Sequence, residues 1–371
     1  MFKTIHIITH EFPPVRGGAG VYCLELAMAA SCRNHDVNVW APKGSSCGKN
    51  FKVCKFSWVG SQGMFSSFRL VGVIKKYISN GEKKDIFHLA EPGCVRAFVR
   101  FGWMIKPKIR FYLTIHGSEL IRFTKNKFEK YLFRKLLRRC EKIHVLSEYN
   151  RQKILELFPE TKDKIAKIPG APSTYFVKED TNFSQHKKDG KINILCVGRL
   201  HPRKGQDQLL LALNQLPVNL QKKIVVRLVG PHRKVKFVEK LQNLKLQSKS
   251  EIIFHGDLTN NELKKVYEKS DIFCLTSMPH PHSVEGFGFV YLDASLHGLP
   301  ILANRTGGVE DAVLENKTGI LVDPGDTDSL TTQLMRLISD DNLCKLLGEN
   351  GRKWARENSW DRVARELYEI N

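Results

Sequence analysis

The sequence predicts an α/β protein built from two doubly wound domains, each a parallel sheet with helices on both faces. Three observations carry that expectation. Short apolar runs alternate with helix-period segments along the whole chain, the pattern of a parallel sheet buried on both sides. The pattern restarts near residue 190, after Pro169-Gly170-Ala171-Pro172 and the polar stretch Lys178 to Lys191. The chain has 371 residues, enough for about two domains of roughly 150 residues.

In the first half, strands are expected at Ile5–Thr9, Val37–Ala41, Ile86–Leu89, Phe111–Ile115 and Ile143–Leu146. Helices fit between them, notably Ala19–Cys32 and a basic segment from Arg122 to Lys142. In the second half, strands are expected at Ile192–Val197, Val225–Val229, Ile252–His255, Ile272–Leu275, Ile301–Ala303 and Ile320–Val322. The helices there are Gln206–Leu216, Asn261–Glu268, Phe287–Leu296, Val309–Glu315 and Thr327–Leu337. The tail from Arg352 reads as helices anchored by Trp354 and Trp360. This divides the chain into a first domain at 1–172, a second at 173–352 and a closing helical segment at 353–371.

The composition is ordinary for a globular protein, with 42% hydrophobic and 26% charged residues, which excludes a disordered or fibrous chain. No apolar run approaches the roughly 18 to 20 residues of a membrane span. The first apolar run breaks at His10-Glu11, too soon for a secretory signal. Nine cysteines are scattered without a C-x-x-C spacing. They read as buried free thiols of a reducing cytosol rather than as a disulfide framework or a zinc site.

Charge is unevenly placed. The 59 Lys and Arg exceed the 38 Asp and Glu by 21. From Met1 to Tyr175 there are 31 basic and 13 acidic residues, an excess of 18; the rest has 28 and 25, an excess of 3. Such asymmetry points to an anionic partner of the first half. The densest stretch, Arg122 to Lys142, carries nine basic residues, among them Lys127, Lys130, Arg134, Lys135, Arg138 and Arg139. Phe128, Leu132, Leu136 and Cys140 recur every fourth residue, and Tyr131, Phe133 and Leu137 widen the stripe. A helix lying on its own domain core explains the stripe. An anionic membrane surface explains the stripe and the charge together, at about 1 kcal/mol for each nearby basic side chain. Met64 to Ile78 and Arg96 to Arg110 add aromatics beside further basic residues.

Four loops carry candidate chemistry, each after an expected strand and before a helix. The first is Pro13 to Gly20, with Gly17 and Gly18 clearing room for backbone amides to meet a phosphate. It is not G-x-G-x-x-G, and no acid follows the second strand to hold a ribose, which argues against a nicotinamide dinucleotide. The second is Gly198-Arg199-Leu200-His201-Pro202-Arg203-Lys204-Gly205, where Arg199 and Lys204 suit a diphosphate. The third is Glu285-Gly286-Phe287-Gly288, with Asp293 eight residues beyond Glu285. On one helix that separation is about 12 Å with an offset near 80°, so both acids face one cleft, with the helix N-terminus bared by the glycines. The fourth is Arg305-Thr306-Gly307-Gly308-Val309-Glu310. His280 and His282 lack a third ligand at a helpful spacing and read as a loop lining the cleft.

Together and in this order, these four loops resemble the retaining glycosyltransferases of family 4. The matching motifs are the glycine-rich first loop, G-R-x-x-x-x-K-G on Gly198-Arg199 and Lys204-Gly205, E-x7-E on Glu285 and Asp293, and G-G-x-x-E on Gly307-Gly308 and Glu310. Thr114-Ile115-His116-Gly117 looks like the family's T-x-H stretch, and the Trp-containing tail resembles its closing helix.

The resemblance implies a GT-B fold, two Rossmann-like domains facing a central cleft, with the first taking the acceptor and the second the donor. It implies a hexose transfer from a UDP- or GDP-linked sugar, with no metal or other cofactor. Arg199 and Lys204 would neutralise the leaving diphosphate, aided by the Gly17 and Gly18 amides. Glu285 would hold donor hydroxyls beside Gly286, Phe287 and Gly288, and His116 would sit near the reacting sugar, although a lone histidine after a strand also reads as structural. Asp293 stands where the family has a glutamate for the ribose, one methylene shorter, and Pro169-Gly170-Ala171-Pro172 replaces the usual P-N-G-V-D. No dedicated nucleophile is expected, because the leaving phosphate takes the acceptor proton. The expected partners are a lipid-linked or glycan acceptor and an anionic membrane, not nucleic acid, and the expected location is the inner face of the membrane. A nucleotide-sugar epimerase and a basic nucleic-acid-binding protein are the competing readings.

Overall fold

The structure is a computed structural model that describes residues 4–14, 17–46, 48, 50–56, 63–78, 85–106, 109–177, 190–232 and 234–370. Val15 and Arg16 of the first loop, Cys47, and most of the polar stretch before residue 190 lie outside the described residues. The chain forms two compact units, 1–170 with 359–371, and 171–358.

The first unit holds a parallel sheet in the order β3-β2-β1-β4-β5-β6-β7. Its strands are β1 (Thr4–Ile8), β2 (Asp36–Pro42), β3 (Lys52–Phe56), β4 (Ile86–Leu89), β5 (Arg110–Ile115), β6 (Cys140–Val145) and β7 (Ile165–Lys167). Its helices are α1 (Gly18–Cys32), α2 (Met64–Ile78), α3 (Pro92–Phe101), α4 (Ser118–Arg122), α5 (Lys127–Arg139) and α6 (Glu148–Leu157). The central strands are mostly apolar because both faces are covered: Ile5, Ile7 and Ile8 are fully buried, as are the polar His6, His88 and Thr114 between apolar neighbours. Edge strands β3 and β7 are half exposed, so their residues are mixed and the apolar signal that marks the others is missing.

The second unit holds a six-stranded parallel sheet in the order β10-β9-β8-β11-β12-β13. These are β8 (Ile192–Val197), β9 (Ile224–Val229), β10 (Glu251–Gly256), β11 (Ile272–Leu275), β12 (Ile301–Asn304) and β13 (Gly319–Val322). The helices are α7 (Gln206–Gln215), α8 (Val218–Gln221), α9 (Val235–Gln247), α10 (Asn260–Glu268), α11 (Phe289–Leu296), α12 (Val309–Ala312), α13 (Thr327–Ser339) and α14 (Asp341–Glu357). A reciprocal cap between Thr259 and Glu262 starts α10.

The last helix, α15 (Trp360–Tyr368), belongs to the first unit and packs on α1. The chain therefore changes unit at Gly170/Ala171 and at Ser359, not at 172 and 353. The second difference has a local cause: α14 runs unbroken through residue 353, and Ser359 starts a new helix by accepting the Arg362 amide.

The basic segment from Arg122 to Lys142 is not one helix. Asn126 accepts the Glu129 amide and starts α5, and Cys140 already turns into β6. Only Phe133, Leu136 and Leu137 of α5 are buried, whereas Phe128 stays 69% exposed. The i, i+3, i+4 set at 133, 136 and 137 is the face that meets the core, so the every-fourth-residue stripe is only partly buried.

Both sheets have the doubly wound order, reversing direction between β1 and β4 in one and between β8 and β11 in the other. Ligands of such sheets bind outside the C-terminal strand ends at that reversal.

Candidate functional site

In the second unit, three of the four motifs meet at the adjacent C-terminal ends of β8, β11 and β12. The Gly198 to Gly205 loop follows β8 and is pinned to the end of β11. Gly205 has φ +67, and a Cβ there would lie 1.8 Å from the Thr276 carbonyl oxygen. Thr276 donates its hydroxyl to the Gly205 carbonyl at 2.6 Å. Only glycine combines that conformation with that approach. Gly307, at φ +58, similarly lies against the Glu285 backbone, and Gly308 donates its amide to the Glu285 carbonyl at 2.8 Å. The glycine pair thus fixes the main chain that carries Glu285.

The Glu285 side chain is 11% exposed. Its Oε2 accepts from Lys204 Nζ at 2.5 Å, from an Arg203 guanidinium nitrogen at 2.9 Å and from the Ser277 hydroxyl at 3.1 Å. Burial alone would raise this carboxyl, but the Lys204 and Arg203 cations reverse that and hold it at about 2. Burial pulls the Lys204 ammonium below its ordinary range, and Glu285 pulls the other way. The Arg199 side chain is exposed and makes no hydrogen bond or ion pair among the described residues, although its carbonyl accepts from Gln206 Nε2 at 3.0 Å.

Sequence reasoning paired Arg199 with Lys204 and passed over Arg203 and Ser277. Which cation of a loop turns inward depends on its backbone path, and here a short 3₁₀ turn over Pro202–Lys204 aims residues 203 and 204 together.

Glu285 and Asp293 do not share a helix. Gly288 has φ +92 and caps α11, which starts at Phe289, so Glu285 sits on the preceding loop. The bared helix N-terminus is therefore at residue 289, past Gly286. Phe287 is buried in the core. Asp293 is buried within α11, and its Oδ1 accepts the Ser173 amide at 2.8 Å. The helix expected at Val309–Glu315 stops at Ala312, and Glu310 pairs with Arg305 at 2.7 Å. His280 Nδ1 accepts the His282 amide within its own loop. Among the described residues, no three of His, Cys, Asp and Glu are gathered as a metal would need.

In the first unit, His116 follows β5. Its Nε2 donates to the Ala90 carbonyl at 2.9 Å, its amide donates to Glu119 at 3.1 Å, and its ring stands edge-on to Tyr22. Glu91, at the end of β4, caps α3 by accepting from Gly93 and Cys94 and also binds the His10 amide. Gly18 opens α1. Gly17 is extended, at φ −179, a conformation open to any residue, and a Cβ there would lie 1.5 Å from Oε1 at the tip of the Glu11 side chain. A carboxylate, not sequence-apparent, is what lies against this glycine.

The six basic residues assigned to the surface of α5 divide. Lys127, Lys135 and Arg138 are exposed. Arg139 is turned inward: it donates to the carbonyls of Gly102, Ile105 and Lys106 and covers the Phe111 ring. Arg134 pairs with Glu160 at 2.7 Å and lies over Phe158, as does Lys130. These three are tied to the fold because long basic side chains lay their stems and heads over adjacent rings and carbonyls.

Comparison with known proteins identifies the family and the fold. The description "Glycosyltransferase Family 4" matches residues 16–171, and "Glycosyl transferases group 1" matches residues 177–354. A GDP-mannose-dependent alpha-(1-6)-phosphatidylinositol monomannoside mannosyltransferase of Mycolicibacterium smegmatis is 26% identical over 98% of this chain and 97% of its own length. Sucrose-phosphate synthase from Thermosynechococcus elongatus shares the fold with a TM-score of 0.77 at 18% identity, over 98% of this chain and 97% of that one. Anabaena HepE in complex with UDP and glucose does so with a TM-score of 0.75 at 17% identity, over 98% of each chain. The chain belongs to the group 1, family 4 glycosyltransferases and is a glycosyltransferase of the two-domain GT-B fold.

Proposed function

We propose that this enzyme moves a hexose from a nucleoside-diphosphate sugar to a lipid-linked acceptor, with retention of configuration and without a metal, on the inner face of a membrane. The observation that carries the donor side is the cation pair on Glu285. Arg203 and Lys204 bring two positive charges to one carboxylate in a largely buried site, and Arg199 stands exposed on the same loop. An incoming diphosphate supplies the missing negative charge, and fixed cations stabilise the charge that grows on it as the glycosidic bond breaks. Glu285 would hold sugar hydroxyls, Asp293 a ribose, His116 the reacting sugar, and the Gly17 and Gly18 amides further phosphate oxygens. The departing phosphate oxygen would take the acceptor proton.

GDP-mannose is the first donor to try, because the relatives from Mycolicibacterium and Mycobacterium are named as GDP-mannose-dependent; UDP-sugars come next. The same names, which specify phosphatidylinositol mannosides, favour a lipid acceptor. The surface supports a membrane: α2 packs on α3, and α3 on α5. Phe65 is 71% exposed on α2 and Trp103 74% exposed just after α3, and α5 exposes Phe128 with the basic residues Lys127, Lys135 and Arg138. Exposed aromatics with cations suit an anionic interface. No helix among the described residues is long and apolar enough to cross a membrane.

Thermal-shift measurements with GDP-mannose, UDP-glucose, UDP-N-acetylglucosamine and ADP-glucose test the donor, since binding raises the melting point. The expected result is a rise with one base only, followed by label transfer into vesicles containing phosphatidylinositol. A chain that binds none of the four, or that shifts nucleic acid in gels while ignoring anionic vesicles, overturns the reading. High salt should weaken vesicle binding more than nucleotide binding.

A further inference from the structure

We propose that Arg203 is a positioning residue: it keeps Glu285 ionised and aimed while Lys204 turns to the donor diphosphate. This rests on the glycosyl-transfer reading above. Three donors converge on Glu285 Oε2, from Lys204, Arg203 and Ser277, and Oε1 accepts no hydrogen bond among the described residues. One carboxylate oxygen offers about two lone-pair sites. Oε2 is therefore oversupplied with donors by one, and Oε1 is left for a sugar hydroxyl.

The two cations are not equivalent. Lys204 is a point charge on a flexible stem, able to swing to a phosphate; the guanidinium of Arg203 is a rigid planar fork. The Arg203 main chain is also tied down at both ends. Its carbonyl accepts the Met278 amide at 2.8 Å, and its amide donates to His201 Nδ1 at 3.1 Å. Since Gly308 holds the Glu285 carbonyl, carboxylate and guanidinium both hang from fixed backbone. When Lys204 leaves, Arg203 and Ser277 still satisfy Oε2 and Oε1 stays available.

Without Arg203, the departure of Lys204 would leave a nearly buried carboxylate whose remaining hydrogen-bond donor among the described residues is Ser277; nearby Tyr291, whose phenol burial keeps neutral, donates to the Leu275 carbonyl. Such a carboxyl takes up a proton. Its O–H would then compete with the hydroxyl it should accept from.

The test uses the full chain with carboxyl-¹³C glutamate, the Glu285 signal being assigned by its loss in Glu285→Gln. Wild type, Arg203→Lys and Arg203→Gln are titrated with pH, free and with whichever of GDP or UDP binds. The Glu285 pKa should rise on nucleotide addition by about one unit or more in Arg203→Gln only. In steady state, Arg203→Gln should lose about a hundredfold in kcat with little change in KM for the sugar nucleotide, and Arg203→Lys should recover part of it. Equal titrations in wild type and Arg203→Gln, or a raised KM with unchanged kcat, overturn the proposal; the second result makes Arg203 a phosphate ligand.

If none of the four sugar nucleotides binds, the glycosyl-transfer reading fails and the free protein still tests Arg203. Lys204→Met should keep Glu285 ionised at pH 6, and adding Arg203→Gln should protonate it. Protonation in Lys204→Met alone overturns the role of Arg203.

Discussion

Tyr368, on the last helix, donates its phenol to Nδ1 of His88, on β4, at 2.7 Å inside the first unit. That bond is the head of a buried chain with one direction. At the far end, His144 Nε2 meets the Ile168 carbonyl at 2.8 Å and must donate to it. His144 Nδ1 therefore accepts, and takes the Tyr22 proton at 2.8 Å. The Tyr22 oxygen then accepts from Thr114 at 2.9 Å, and Thr114 accepts from His88 Nε2 at 2.7 Å. Five residues from α1, β4, β5, β6 and α15 are joined with every proton assigned.

Acid should break this chain before it breaks the donor site. Burial lowers the His144 imidazole to about 4 and pushes His88 well below its ordinary range. A histidine with a lowered native pKa contributes stability that is present above 6.5 and is lost as pH falls toward the native value. For His144 alone the full shift is worth about 3 kcal/mol. Denaturant midpoints should fall between pH 6.5 and 4, and less steeply in His144→Gln. Tyr368→Phe, which leaves Nδ1 of His88 without a donor, should cost about 1–3 kcal/mol at pH 7.

Glu285 responds at lower pH. Its contribution is present above about 4.5 and disappears as pH falls toward its native value of about 2. Glu285→Gln at neutral pH strands two largely buried cations and should destabilise by about 3 kcal/mol, read by urea unfolding. Donor turnover should be lost in Glu285→Ala and in Lys204→Ala; full activity in both would remove the site assignment.

Neighbouring arginines of α5 should behave differently. Arg139→Ala removes charged hydrogen bonds to three carbonyls and should cost about 2 kcal/mol of stability. Arg138→Ala, at an exposed position, should stay within about 0.5 kcal/mol. Reversing charge at Lys127, Lys135 and Arg138 should leave the melting point nearly unchanged and weaken flotation with anionic vesicles by about 1 kcal/mol per site.

Gly205→Ala should be among the costliest glycine replacements, since strain at φ +67 adds to a clash with the Thr276 carbonyl. A loss of about 3 kcal/mol or more is expected. Gly44→Ala, at φ +89 with open space around its Cβ, should cost about 1 kcal/mol. Equal midpoints for the two variants would show that the Gly205 approach is unimportant.

Every strand expected from an apolar run is present, because a strand buried on both faces writes its environment into consecutive residues. The same reasoning missed β3 and β7, whose exposed edges permit lysines. The loops that carry Glu285, Lys204, Gly205 and the Gly307-Gly308 pair were legible because strand–glycine–helix junctions are local, and Gly205 and Gly307 take positive φ values that glycine adopts readily.

What sequence determined by itself was the set of strands, the loops that follow them, and the positive excess of the first half. Tertiary structure alone decided the partners. That Arg203 turns to Glu285 while Arg199 faces solvent, and that Arg139 seals three carbonyls, depend on residues far apart in sequence. Periodicity encodes which side of an element is buried, but an ion pair or hydrogen bond needs two chain segments within about 3 Å, and only packing sets that distance.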